Sequence, residues 1–306
     1  MTRYDLEKFK GVIVAMYSCY DGEGEVSAQA ARKLARHYAN IGVKGLYVGG
    51  STGEGMLQSV SERKATLEAV MAEIGGELTV IAHVGAPSTR DSVELSKHAE
   101  AVGADAISAV PSIYYRLSPD AVERHWQAMI DSTSLPFIIY HIPQTTGFQL
   151  SASLLAKMAA QDKVIGVKIS AESTFELQRF KAVGGSDFLV LNGPDEQYLA
   201  GRSMGADGGI GGTYGVMPEL YMEIERCLAE GKLDEARKWQ YKVNEIIVSL
   251  LALPSLYGGC KAIMKMRGLD IGEPRMPMLP IPEHGLAEVS ELNDRIVRFI
   301  EETKQR

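Results

Sequence analysis

The sequence is short of the residues that most often announce a chemistry. It has three cysteines, Cys19, Cys227 and Cys260, an odd and widely spaced set that argues against a disulfide framework and fits a reducing compartment. No CxxC, HExxH or EF-hand loop occurs, and the 6 histidines do not group at ligand spacing, so no metal is implied. Positive charge is not in excess: 32 Lys and Arg stand against 39 Asp and Glu, a net −7 that argues against a nucleic-acid partner. No apolar run approaches the ~20 residues of a membrane span, and the N-terminal MTRYDLEKFK lacks the apolar stretch of a leader peptide, so no membrane partner and a cytoplasmic location are expected. Low-complexity tracts and short-period repeats are absent as well.

What is present is a rhythm. Short apolar or β-branched runs recur between amphipathic stretches: GVIVAMY from 11, GLYVGG from 45, LTVIAHVG from 78, DAISAVP from 105, PFIIYHIP from 136, VIGVKIS from 164, FLVLNG from 188 and GGIGGTY from 208. Each is too short for a helix and too uniformly apolar for a one-sided antiparallel strand, so buried parallel strands are predicted. The intervals leave room for a crossover helix every time. One of them, SVSERKATLEAVMAEIGG, opens with a capping box from Ser59 to Glu62 and stops at Gly75 and Gly76; another ends at Gly103.

Eight alternations without a strong linker, in a chain of 306 residues, favour a closed (β/α)₈ TIM barrel over a doubly wound open sheet. After TYGVMPE the strand signal fades. Helical patterns from about 219 to 252, near 258 to 268 and from 286 to 303 predict a C-terminal helical extension, dividing the chain into a barrel with the active site at 1–218 and an extension at 219–306.

In such a barrel chemistry sits at the C-terminal ends of the strands. Lys168 ends the sixth run, Tyr140 the fifth, Ser51 and Thr52 follow the second, and Asp195 and Glu196 follow the seventh. Lys168 is either a strand-end lysine that snorkels to solvent or a desolvated amine able to attack a carbonyl and form a Schiff base. The turn GGSTGEG at 49–55 is either an ordinary glycine-rich turn or a cradle for a carboxylate; it matches neither GxGxxG nor a P-loop. Tyr140 reads as a core tyrosine or as a proton relay beside an imine. His83, on an apolar strand, reads first as a hydrogen-bonded structural residue.

With these residues in hand, the chain resembles the pyruvate-dependent class I aldolases, the family of N-acetylneuraminate lyase and dihydrodipicolinate synthase. The resemblance runs from KGVIVAMYSCYD through GLYVGGSTGEGMLQSVSER, IAHVG, DAISAVPSIYY, YHIPQTTG and GVKIS to LNGPDEQYLAGRSMGADGGIGGTYGVMPE, covering at least residues 11–219. It implies that Lys168 forms the imine with a 2-oxo acid, that Ser51 and Thr52 bind its carboxylate, and that Tyr140 moves protons, aided by Thr52 or Ser51 and by Tyr114 from a neighbouring subunit of a homotetramer. Ser170, Gly193 and Ile210 would line the pocket, and Asp195 and Glu196 would bind a polyhydroxyl tail. No cofactor beyond the covalent imine is implied, and the partner is a small-molecule 2-oxo acid.

VGGSTGE, IAHVG and GADGGIGGTY look more like the lyase than the synthase. Thr145 falls where the synthase carries a carboxylate-clamping arginine, which disfavours the synthase condensation. Other positions depart from the lyase: Gly212 replaces a serine that touches the sugar tail, His141 an asparagine, and Cys19 and Tyr20 a Pro-Phe pair. These departures suggest an altered aldehyde partner. The leading expectation is cleavage of a polyhydroxylated 2-oxo acid to pyruvate and an aldehyde. A condensation or sugar-acid dehydration on the same imine is the second, and a non-catalytic 2-oxo acid-binding barrel the third.

Overall fold

Strands form where the apolar runs lie. In the computed structural model, which describes residues 4–305, they are β1 (Gly11–Ala15), β2 (Gly45–Val48), β3 (Thr79–His83), β4 (Ala106–Ala109), β5 (Phe137–His141), β6 (Val164–Ile169), β7 (Leu189–Asn192) and β8 (Gly208–Gly211). They pair in parallel in chain order, and β8 returns to β1 in the register Gly11 to Gly208, so the sheet closes. Closure excludes the doubly wound alternative.

The helices are α1 (Ala28–Ile41), α2 (Val60–Ile74), α3 (Thr89–Ala101), α4 (Pro119–Asp131), α5 (Pro143–Thr146), α6 (Ala152–Ala159), α7 (Thr174–Gly184), α8 (Tyr198–Ser203), α9 (Pro218–Ala229), α10 (Leu233–Ala252), α11 (Leu256–Met266) and α12 (Leu286–Thr303). Serine starts many of them. The hydroxyls of Ser27, Ser59, Ser88, Ser118, Ser151, Ser173 and Ser255 each accept a first-turn backbone N–H, and at Ser59 the Glu62 carboxylate answers to complete the capping box. α9 lies against β1 and α10 against α9, so the helices after β8 pack onto the barrel. One predicted helix is two: the 219–252 pattern breaks at Gly231, whose φ of +72° ends α9.

Two apolar layers result. Val14, Leu46, Val80, Ile107, Ile139 and Val167 face outward against the helices, whereas Ile13, Tyr47, Ile81, Ile138, Leu191 and Ile210 fill the barrel. Phe9, fully buried, seals the end where the strands begin. The other end is left for polar side chains. Where β5 and β6 begin, their pairing shifts register between Phe137 and Ile138, a bulge that lets Ile165 and Lys168, three residues apart, both face inward. Strict alternation would have turned one of them outward. The same shift sets Lys168 beside Tyr140.

Candidate active site

At the C-terminal end of the barrel lies a cavity of about 310 Å³. It brings together Lys168, Tyr140, Ser51, Thr52, Ser170, Gly193, Asp195, Glu196 and Ile210. Tyr114 is not among them. Its ring is 90% exposed on the β4–α4 loop, edge-on to Tyr115, and its backbone takes a left-handed φ of 78°.

Lys168 is buried, and its Nζ lies 4.0 Å from the Tyr140 ring centroid and 4.8 Å from that of Tyr47. Long side chains that snorkel keep their heads in water; this one ends among aromatic rings inside the barrel. Tyr47 meets Tyr140 edge-on at 5.9 Å, and its hydroxyl donates to Ser108 Oγ at 2.9 Å. His83 stands edge-on to Tyr140 at 6.0 Å. Burial first, then the Arg63 guanidinium, push the His83 imidazole well below its ordinary value, so it adds no second positive charge beneath Lys168. His83 is held at Nδ1 by the Gly49 carbonyl at 3.0 Å, and its Nε2 accepts the Val110 N–H at 3.3 Å.

Tyr140 is the more acidic phenol of the barrel mouth. Burial alone would raise it, but the charge of Lys168 and the hydrogen-bonding groups of Ser170, Ser51 and Lys168 overcome that and lower it. A phenol so placed exchanges a proton with an amine or a substrate hydroxyl more readily than an ordinary tyrosine.

Ser51 and Thr52 sit on a tight turn. A Cβ on Gly55 would lie 2.0 Å from the Gly49 carbonyl oxygen, so only glycine lets the turn fold back on itself. Across the cavity, Asp195 is buried in a short 3₁₀ turn, with Oδ2 accepting from Thr213 N at 2.7 Å and Thr213 Oγ1 at 2.6 Å. Burial pushes its carboxyl up to about 6, against the hydrogen bonds from Thr213. Glu196 is exposed at the rim.

The departures noted in the sequence separate on position. His141 points away from the cavity and packs against Phe180 of α7, with ring centroids 5.7 Å apart. Cys19 is buried outside the cavity, and Tyr20 lies between two cations described below. None of the three lines the cavity, so they do not bear directly on what it holds. Gly212 does line the cavity, and a Cβ there would meet Thr52 Oγ1 at 2.7 Å. Among the described residues no arginine lines the cavity, and Thr145 is exposed on α5.

Other lining residues were not foreseen. Ile247 and Leu251 of α10 and Leu256, Tyr257 and Cys260 of α11 cover the cavity, and Tyr17 donates from its hydroxyl to the Gly212 carbonyl at 2.8 Å. Burial pushes the Cys260 thiol up to about 12, which makes it packing material and no nucleophile. Among the described residues no cluster of His, Cys, Asp and Glu is placed to hold a metal ion, and no single helix is long and apolar enough to cross a membrane.

The Dihydrodipicolinate synthetase family profile matches residues 8–295. The chain belongs to that family. Within it, the sequence is 45% identical over 295 residues to the N-acetylneuraminate lyase of Mediterraneibacter gnavus, covering 95% of this chain and 93% of that protein. It is 37% identical over 300 residues to the N-acetylneuraminate lyase of Rhizobium meliloti, covering 98% and 99%. A solved structure of the Ruminococcus gnavus sialic acid aldolase, a catalytic lysine mutant, superposes with a TM-score of 0.96 at 43% identity, over 98% of this chain and 99% of that one. The family's barrel is thus present over nearly its whole length.

Proposed function

We propose that the protein is a class I aldolase that cleaves N-acetylneuraminate, or a closely similar polyhydroxylated 2-oxo acid, to pyruvate and an aldehyde, with Lys168 as the imine-forming residue. The observation that carries this reading is Lys168 buried against Tyr140 in a cavity that Asp195 and Glu196 also line. The similarity to the lyases named above supports the same substrate.

The proposed steps use the residues that line the cavity. Neutral Lys168 Nζ adds to the C2 carbonyl of the substrate, and loss of water gives a protonated imine while Ser51 and Thr52 hold the carboxylate. Tyr140 removes the proton from the C4 hydroxyl. As the C4–O π bond forms, the C3–C4 bond breaks, and its electron pair flows into the iminium to give an enamine on Lys168. The aldehyde leaves, C3 takes a proton, and water returns the amine and releases pyruvate. Asp195 and Glu196 accept hydrogen bonds from the hydroxyls of the departing polyol.

We also propose that the working unit is a homotetramer in which the partner subunit's Tyr114 completes each site. An aromatic ring standing almost wholly in water on a left-handed backbone is costly alone and gains from a partner surface. The first test is borohydride reduction in the presence of pyruvate: mass spectrometry of the digested protein should place one reduced pyruvyl adduct on Lys168. No adduct in the folded protein would end the aldolase reading, and Lys168→Ala should lose both adduct and pyruvate release.

A further inference from the structure

Behind the turn of Ser51 and Thr52 lies a buried ion pair that the reaction itself does not use. Glu54 and Lys261 meet at 3.0 Å with side chains 0% and 1% exposed. The remaining capacity of the carboxylate is also filled: Ser18 Oγ donates to Oε1, and the backbone N–H of Arg275 donates to Oε2 at 2.8 Å. Lys261 donates onward to the Glu273 carbonyl at 3.1 Å and stands 4.5 Å from the Tyr20 ring centroid, with the Arg275 guanidinium 4.5 Å from that same centroid. Arg275 also donates to the Leu57 carbonyl at 3.0 Å and to Glu62 at 2.6 Å.

Glu54 adopts a φ of +54°, a left-handed conformation that is unfavourable for a residue with a Cβ. Its side chain is therefore fastened while its backbone holds the last bend of GGSTGEG, two residues beyond Thr52. Buried ion pairs are poor sources of stability, since desolvation consumes most of the attraction, and a pair of apolar side chains would serve the fold as well. What the pair supplies is a fixed direction. Lys261 lies on α11 and Arg275 on the segment after it, both outside the barrel, so the turn is registered against the C-terminal extension.

We infer that Lys261 and Glu54 are positioning residues that set the geometry with which Ser51 and Thr52 receive the substrate carboxylate. The inference rests on the aldolase reading above. It predicts a loss confined to carboxylate recognition, which a general loosening of the fold does not produce.

The experiment compares borohydride trapping on Lys168 at graded pyruvate and at graded pyruvamide, its neutral amide. In Lys261→Met the pyruvate concentration for half-maximal trapping should rise about tenfold or more, as expected when a charge-assisted contact is misaligned, while that for pyruvamide stays unchanged. If Lys261→Met does not fold, Glu54→Gln/Lys261→Met, which leaves no lone buried charge, carries the same comparison and the same expected result. Equal shifts for both ketones, or no shift, overturn the inference while leaving the aldolase reading intact. Absence of any pyruvate adduct in the unaltered protein overturns both.

Discussion

Asp195 shows what burial does to a single carboxyl. Held at about 6 in the native protein, it keeps a proton between about pH 4 and 6 that the unfolded chain has already lost. Its contribution to stability is therefore greatest below pH 4, falls as pH rises through 6, and is flat above, a change of roughly 3 kcal/mol at most. Urea unfolding at pH 4 and pH 7 should show this slope in the wild type and its loss in Asp195→Asn. The tail binding proposed for Asp195 has the opposite sign: KM for the sugar acid should rise as pH drops below about 6, while half-saturation by pyruvate alone stays put. Little of this was legible in the sequence. GPDE marks an acidic pair after a strand, but which carboxylate is buried depends on Thr213, a residue just past β8 that the pairing of β7 with β8 sets beside it. Lys168 was more readable, since an isolated lysine in a β-branched run has few places to go.

At the scale of elements, local rules explain the frame. Ser59→Ala removes the hydroxyl that accepts from Glu62 N and unpairs the capping box, and should cost about 1 kcal/mol, read as a lower urea midpoint at unchanged slope. That box, the strand runs and the glycine stops are written in adjacent residues, which is why the alternation of strands and helices was visible. The bulge in β6 was not, because VIGVKIS alternates as well with it as without it; only the pairing with β5 reveals it. The short α5 and the roles of Tyr257 and Leu251 were equally hidden. An apolar stripe on a helix looks the same whether it covers a core or a cavity.

For the whole molecule, the exposed Tyr114 asks for a second chain. Lys168→Ala and Tyr114→Ala proteins should each be nearly inactive, yet when unfolded and refolded together they should recover about a quarter of wild-type activity per chain, because mixed pairs hold one complete site. Recovery no greater than the sum of the separate proteins would place Tyr114 outside its partner's site. The extension matters on another axis, that of time. A chain emerging from the ribosome can pair β8 with β1 once residue 211 is free, but Lys261 and Arg275 come later. Until they arrive, Glu54 has neither the Lys261 ammonium nor the Arg275 N–H as a partner, beside the turn proposed to receive the substrate carboxylate. On the positioning inference above, the turn of Ser51 and Thr52 gains its fixed direction last, from residues that the ribosome supplies only after the whole sheet.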